Sequence, residues 1–198
     1  MLIDVVPYRP SWPDAFRHTA SALRAALGDG ALRIDHIGST AVPGLAAKPI
    51  IDMQVTVGEL AKVADYVRPL QELGFEHRAH INCDRPPDWN TSPREQWNKA
   101  YFRRTQPDAI RIHLHVREYG RLNQRYPLLM RDYLRADETA RNAYALFKLR
   151  LSTAVGTASD PGGTGPYLDL KDPFFDLLAA NAEDWAIRAG WSSGASDA

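Results

Sequence analysis

Apolar residues at Phe16, Ala20, Leu23 and Leu27 recur at helical spacing, and Gly28 ends the run. Ser11 ahead of Trp12 and Pro13 has the form of a helix start, with Ser11 as the N-cap. The period then drops to two. Residues 32–37 and 50–57 read as strands around a loop of small residues. Leu60, Val63, Ala64, Val67 and Leu70 form a second helical stripe, which predicts a helix over 59–73 capped by Gly74, with a strand starting at 75–78. Residues 2–6 predict a short strand ended by Pro7 and Pro10, and 99–104 and 110–116 two further strands joined by 105–109. From Leu122 the pattern is helical: 122–134, 138–155 and 173–189, with a Gly/Pro/Ser break at 156–166 and a small, polar tail at 192–198 expected to fray. Residues 80–97 are Pro-rich and polar, either a mobile lid or a surface connection, and a loop of that length leans towards a functional role.

Strands with two helices among them run as far as residue 116, and helices follow. This is an α+β pattern: a mixed sheet with helices on one face over 1–118, a helical C-terminal part over 119–191 packed on it, and a flexible tail.

Alternation sorts the strand side chains into two faces. Asp52 and Gln54 share one face of their strand, with Ile51, Met53 and Val55 opposite. Arg111, His113 and His115 share a face, as do Lys99, Tyr101 and Arg103. If these strands are neighbours, the apolar faces pack on the helices. The polar ones then gather acids, imidazoles and phosphate-binding cations in one cleft; the alternative is an ordinary solvent-facing sheet surface.

The stretch His-Ile-Gly-Ser-Thr-Ala-Val-Pro-Gly-Leu-Ala-Ala-Lys-Pro-Ile-Ile-Asp-Met at 36–53 adds to the cleft reading. Gly38 lets the backbone approach a ligand closely or take a positive φ. Backbone N–H groups of a Gly38-Ser39 turn suit an anion such as phosphate. Lys48 is either a phosphate contact or a solvated loop lysine. Asp52 offers a hard oxygen to a divalent cation. His36 either satisfies the Gly-Ser loop or orients Asp52.

These residues resemble the GrpB family, which is similar to a branch of the nucleotidyltransferase superfamily. That superfamily's signature is a hydrophobic residue, Gly-Ser or Gly-Gly, a spacer, and Asp-x-Asp or Asp-x-Glu on a strand; Ile37-Gly38-Ser39 and Ile51-Asp52-Met53 match it. Arg111-Ile-His-Leu-His-Val116, Arg131-Asp-Tyr-Leu-Arg135, and Tyr167 with Lys171 extend the resemblance, which spans roughly residues 5–187. It implies a nucleotidyltransferase-like fold and an enzyme acting on a nucleotide or another phosphorylated small molecule. GrpB-like domains are also found joined to dephospho-CoA kinase, so a CoA-related ligand is a further implication.

On this reading Mg²⁺ or Mn²⁺ sits at Asp52, with the Gln54 oxygen and one of His113 or His115 completing its shell. Gly38 and Ser39 position phosphate, Lys48 and Arg103 neutralise charge, and Tyr101 and Arg111 add substrate contacts. Tyr167 and Lys171 close over the ligand. His113 and His115 serve as metal ligand, general base or hydrogen-bonding partner. Gln54 stands where the superfamily has its second carboxylate, and an amide supplies no negative charge. That favours the competing reading, a non-catalytic module that binds a nucleotide or phosphate ligand.

Lysine plus arginine equal aspartate plus glutamate at 24 each, so no global field favours nucleic acid or membranes. Arg131, Asp132 and Arg135 form either an internal salt-bridge pattern or a basic rim to the cleft. Cys83 is the single cysteine, so neither an intramolecular disulfide nor a cysteine-rich zinc site is expected. The short apolar start, interrupted by Asp4, is read as neither signal peptide nor membrane span, and a cytoplasmic setting is the expectation.

Overall fold

The structure, a computed structural model, describes residues 5–107, 109–154 and 166–198. The strand expected at 2–6 and the break expected at 156–166 fall mostly outside these residues; Val6 makes an isolated antiparallel bridge with Ala47.

Five helices and five strands organise the described chain: α1 (Trp12–Leu27), β1 (Arg33–Ile37), β2 (Ile50–Val57), α2 (Ala64–Glu72), β3 (Glu76–His77), β4 (Ala100–Arg104), β5 (Arg111–Glu118), α3 (Leu122–Ala136), α4 (Glu138–Ala154) and α5 (Pro166–Ala189). The sheet order is β1-β2-β5-β4-β3. β2 and β5 run parallel in the centre and the remaining pairs are antiparallel. The fold is α+β with a mixed sheet, as the pattern implies.

The apolar faces of the central strands, among them Ile51, Met53, Val55, Ile112, Leu114 and Val116, pack with Trp12, Phe16 and Leu23 of α1 and Leu70 of α2. Fully burying one such side chain stabilises by roughly 1.5–3 kcal/mol, so the alternation fixes which face meets the helices. A second core joins Leu129, Met130, Tyr133 and Leu134 of α3 to Tyr144 of α4 and Leu178, Ala179 and Ala182 of α5, with Val42 and Leu45 of the Gly-Ser loop. The C-terminal helices therefore lie over the polar sheet face and enclose space between themselves and the strands.

Four expectations shift. The helix expected over 59–73 begins at Ala64, with Leu60–Lys62 a separate turn of 3₁₀-helix. Ser11 makes no side-chain cap; its backbone is already helical and its carbonyl accepts from Ala15 N–H at 3.1 Å. α5 begins at Pro166 rather than 173, with Pro173 inside it. An interior proline removes one helical N–H bond, and burial of Leu178, Ala179 and Ala182 carries the helix regardless. Residues 192–198, expected to fray, lie along β1: Ala198 N–H donates to Ile34 O at 3.1 Å, and Arg33 donates to the Ser193, Gly194 and Ala195 carbonyls. Among the described residues no helix is long and apolar enough to cross a membrane.

Candidate functional site

The Gly-Ser turn sits directly above Asp52. Ile37, the residue before Gly38, is the cross-strand partner of Asp52. Gly38 has φ +69, and a Cβ there would lie 2.6 Å from Asp52 Oδ2. Only glycine lets the turn pass this close to the carboxylate. Residues 39–41 form one turn of 3₁₀-helix whose position is fixed from several sides. Thr40 Oγ1 donates to Ile50 O and accepts from His36 Nε2 at 3.0 Å. Arg135 donates to Ala41 O. His36 stacks on Phe16, on the α1 side of the sheet away from Asp52, and burial pushes its pKa down to about 4. It satisfies the loop. Arg131 and Arg135 both pair with Asp132, and Arg131 also donates to His36 O, so these arginines brace the loop and β1.

The register brings the polar strand faces together. Asp52 pairs with His113, Gln54 with His115, Tyr101 with His115 and Arg103 with His113. His113 Nδ1 stands 3.3 Å from Asp52 Oδ1, and the Tyr101 ring lies against both histidines. Burial, then the Asp52 charge, pushes the Tyr101 hydroxyl up to about 12.

Between this face and the C-terminal helices lies a cavity of about 390 Å³. Gly38, Ser39, Asp52, His115 and Lys171 line it. Lys48, Tyr101, Arg103, Arg111 and His113 are not part of that lining. Arg103 instead pairs with Glu76 at 3.3 Å. The Tyr167 side chain lies outside the described residues.

Two lysines lie near this region: Lys171 lines the cavity, whereas Lys148 reaches the turn but is not part of that lining. Lys148 of α4, 3% exposed, donates to Ser39 Oγ at 2.8 Å and lies over the Tyr144 ring. Tyr144 also hydrogen-bonds Ser39, and burial pushes its hydroxyl upward. Burial, reinforced by the Lys171 charge, lowers the Lys148 pKa to about 7. Burial also lowers Lys171, which keeps Asp172 at 3.6 Å. Among the described residues no carboxylate stands within ion-pair distance of Lys148. Lys148 is a residue that the strand pattern misses, although one signal existed: it shares the buried stripe of α4 with Tyr144 and Leu151 at helical spacing.

Gln54 is placed otherwise than a metal ligand requires. It is fully buried, its Oε1 accepts from Arg117 Nη1 at 2.7 Å, and its Nε2 donates to Gln124 O at 2.9 Å. Arg117 belongs to a buried cluster around Asp84, which also takes Lys99 at 2.6 Å and Asn123 at 3.0 Å. Arg117 and Lys99 hold the Asp84 carboxyl well below the usual carboxylate range against the cost of its burial. Arg117 continues the alternation of 111, 113 and 115 by one step, a legible signal; Asp84, inside the proline-rich loop, carried none. That loop reaches α5, where Arg85 pairs with Asp176 at 3.2 Å and Asp172 at 3.7 Å.

The Gly38–Ser39 turn, the buried Lys148 bonded to Ser39, and the Asp52–His113 pair thus lie near one another in an α+β scaffold. The family model for the GrpB protein matches residues 2–181, and the chain belongs to the GrpB family. The crystal structure of the conserved protein GrpB from Enterococcus faecalis is similar with a TM-score of 0.71 and 29% identity, over 92% of this chain and 99% of that one. The UPF0157 protein BH1888 of Halalkalibacterium halodurans is 37% identical over 150 residues, 76% of this chain and 69% of the relative. The dephospho-CoA kinase of Mycolicibacterium paratuberculosis is 34% identical over 201 residues, 96% of this chain but 48% of that protein. The chain thus spans about half the length of the dephospho-CoA kinases it matches. A weaker likeness, TM-score 0.48 at 17% identity, covers 72% of this chain and 43% of a Cid1 poly(U) polymerase structure with MgGTP.

Proposed function

We propose that this protein binds a phosphorylated small molecule of the nucleotide class, with the phosphates at Gly38, Ser39, Lys148 and Lys171. The observation that carries this is the pair of lysines. Lys148 is a buried ammonium with no carboxylate within ion-pair distance among the described residues, which is expensive, and the charge of Lys171 beside it, paired with Asp172 at 3.6 Å, adds repulsion. A phosphate group placed between them and the Gly38–Ser39 turn supplies the missing negative charge, and hydrogen bonds to charged partners are the strong ones.

Nucleotidyl transfer by two metal ions requires clustered carboxylates. Of the two strand positions that the superfamily motif would use, only Asp52 carries a carboxylate, both ends of the Gln54 amide are engaged inside the protein, and among the described residues there is no group of three His, Cys, Asp or Glu able to hold a metal. The donor set does not fit a metal pair, and binding is assigned to the lysines. Turnover is the second reading, favoured by the 3.3 Å contact of His113 with Asp52. An imidazole oriented by a carboxylate can take a proton from an acceptor hydroxyl. The relatives named dephospho-CoA kinase make CoA precursors worth including among the ligands.

The test is a thermal-shift panel of nucleoside triphosphates, dephospho-CoA and inorganic tripolyphosphate, each with and without Mg²⁺ or Mn²⁺. Stabilisation by phosphorylated compounds in the absence of metal is the expected result. No shift from any of them contradicts the proposal, and product formation that needs both the divalent ion and Asp52 moves the balance to the enzyme.

A further inference from the structure

The cavity has a second polar region, beside Asp84, that the phosphate reading does not use. Asn123 is 1% exposed. Its Nδ2 donates to Asp84 Oδ2 at 3.0 Å and to Asn98 O at 2.9 Å. Two acceptors on that side fix the orientation of the amide, because only the NH₂ end can serve both. Asn123 Oδ1 is left buried without a hydrogen-bond partner. Native proteins leave few buried acceptors in that state, and a ligand is one of the groups that completes them.

His115 lines the same cavity. Arg117 Nη2 lies 3.3 Å and Lys99 Nζ 3.4 Å from its Nδ1. Both neighbours are cations with donors only. Nδ1 must therefore accept, and the ring proton resides on Nε2. The tautomer is set by the neighbours of one nitrogen. Burial and the same two cations oppose a second proton. Among the described residues no hydrogen bond reaches Nε2. His115 is thus a donor of fixed direction, and the role of general base falls to His113 alone. The cations that hold it are themselves held by Asp84, so the Gln54–Arg117–Asp84–Lys99 cluster orients a donor on His115 and leaves an acceptor on Asn123, both on the wall of one cavity.

We propose that His115 and Asn123 form a recognition subsite for the uncharged part of the phosphorylated ligand, His115 Nε2–H donating to it and Asn123 Oδ1 accepting from it. The group recognised carries a donor and an acceptor together, as a sugar hydroxyl, a carboxamide or a heterocycle edge does. Rejection of ligands without such a group follows from the cost of leaving the buried Asn123 acceptor unpaired. The proposal rests on the phosphate reading for its other end, and the test separates the two.

ATP and inorganic tripolyphosphate are titrated calorimetrically into the wild type, His115→Phe and His115→Gln. Both compounds reach the lysines, but only ATP has an uncharged part. His115→Phe should weaken ATP about tenfold, the value of one hydrogen bond, and leave tripolyphosphate unchanged. His115→Gln, which retains an N–H donor, should recover most of the loss. In wild-type protein with ¹⁵N-labelled histidine, the His115 ring at pH 7 should show the Nε2–H tautomer, with Nε2 shifting on addition of ATP but not of tripolyphosphate. Equal effects of His115→Phe on the two compounds, no effect on either, or an Nδ1–H ring overturns the subsite; the first two outcomes leave the pair as a structural or water-filled region only. If neither compound binds the wild type, the phosphate reading and the subsite built on it both fall, whereas ATP binding with a silent His115 overturns the subsite alone.

Discussion

Replacement of Gly38 by alanine has a cost that follows from two independent features. Gly38 has φ +69 and ψ −169, a region essentially restricted to glycine, where another residue costs of order 1–3 kcal/mol. The added Cβ would also stand 2.6 Å from Asp52 Oδ2 and 3.0 Å from Asp52 Cβ. A rotamer change moves the oxygen but not the Cβ, which β2 holds through its pairing with β1 and β5. Strain and overpacking together give about 3 kcal/mol, or a fall of roughly 6–12 °C in Tm for a chain of this size. Gly44→Ala is the control. Gly44 also has a positive φ, +81, but its nearest neighbour, Arg141 Nε, is 3.8 Å away. It suffers strain without the clash and should lose about 1 kcal/mol. Calorimetric unfolding of the two variants beside the wild type measures the difference. A Gly38→Ala protein no less stable than Gly44→Ala, or within about 0.5 kcal/mol of wild type, refutes the close approach of turn and carboxylate.

Three further outcomes are expected. The folded-state pKa of Lys148 is lowered from 10.5 to about 7; between these values the unfolded chain binds more protons, so stability rises with pH across that window, and the penalty is fully present below about 7. Urea unfolding from pH 6 to pH 10 should show this rise in the wild type, and Lys148→Met should flatten it and be the more stable protein at pH 6. Asp84→Asn leaves Lys99 and Arg117 buried without their anion and should cost about 3–5 kcal/mol in urea unfolding; because the folded pKa of Asp84 is depressed, its contribution in the wild type is present above the ordinary aspartate value of ~3.9 and lost as pH falls below it. Arg85→Ala detaches the proline-rich loop from Asp172 and Asp176 on α5; stopped-flow dissociation of ATP should become faster, with a stability change under about 1 kcal/mol because the pair is partly exposed.

The sequence reveals the sheet face better than the cavity, and the reason is range. The strand period is local, so Asp52 with Gln54 and His113 with His115 sort to one side from residue order alone. β2 has the bounds that the alternation implies, and Asp52 and His113 emerge as direct cross-strand partners. Gly38 is legible for the same reason, because a turn before a strand narrows where the chain can go. Lys148 approaches Ser39 from 109 residues away in sequence, and no local period encodes which loop a helix in a second core will cover. Gln54 reads from sequence as a weakened ligand position, yet its amide is the neutral partner of Arg117, a contact that depends on how α3 and the 80–97 loop close over the sheet. α5 starts before Pro173 although proline is a strong first-turn residue, because the burial that extends the helix past it is not encoded locally.

The central claim, that Lys148 and Lys171 receive the phosphates of the ligand at the Gly38–Ser39 turn, is tested most directly by calorimetric titration of tripolyphosphate into wild type and Lys148→Met at pH 8, in two buffers of different ionisation enthalpy and without divalent metal. The account predicts binding to the wild type with uptake of a proton, because an anion beside Lys148 raises a pKa that burial lowers to about 7, and a loss of affinity of about tenfold or more in the variant. Equal affinity in both proteins, or binding to the wild type with no proton uptake, contradicts it.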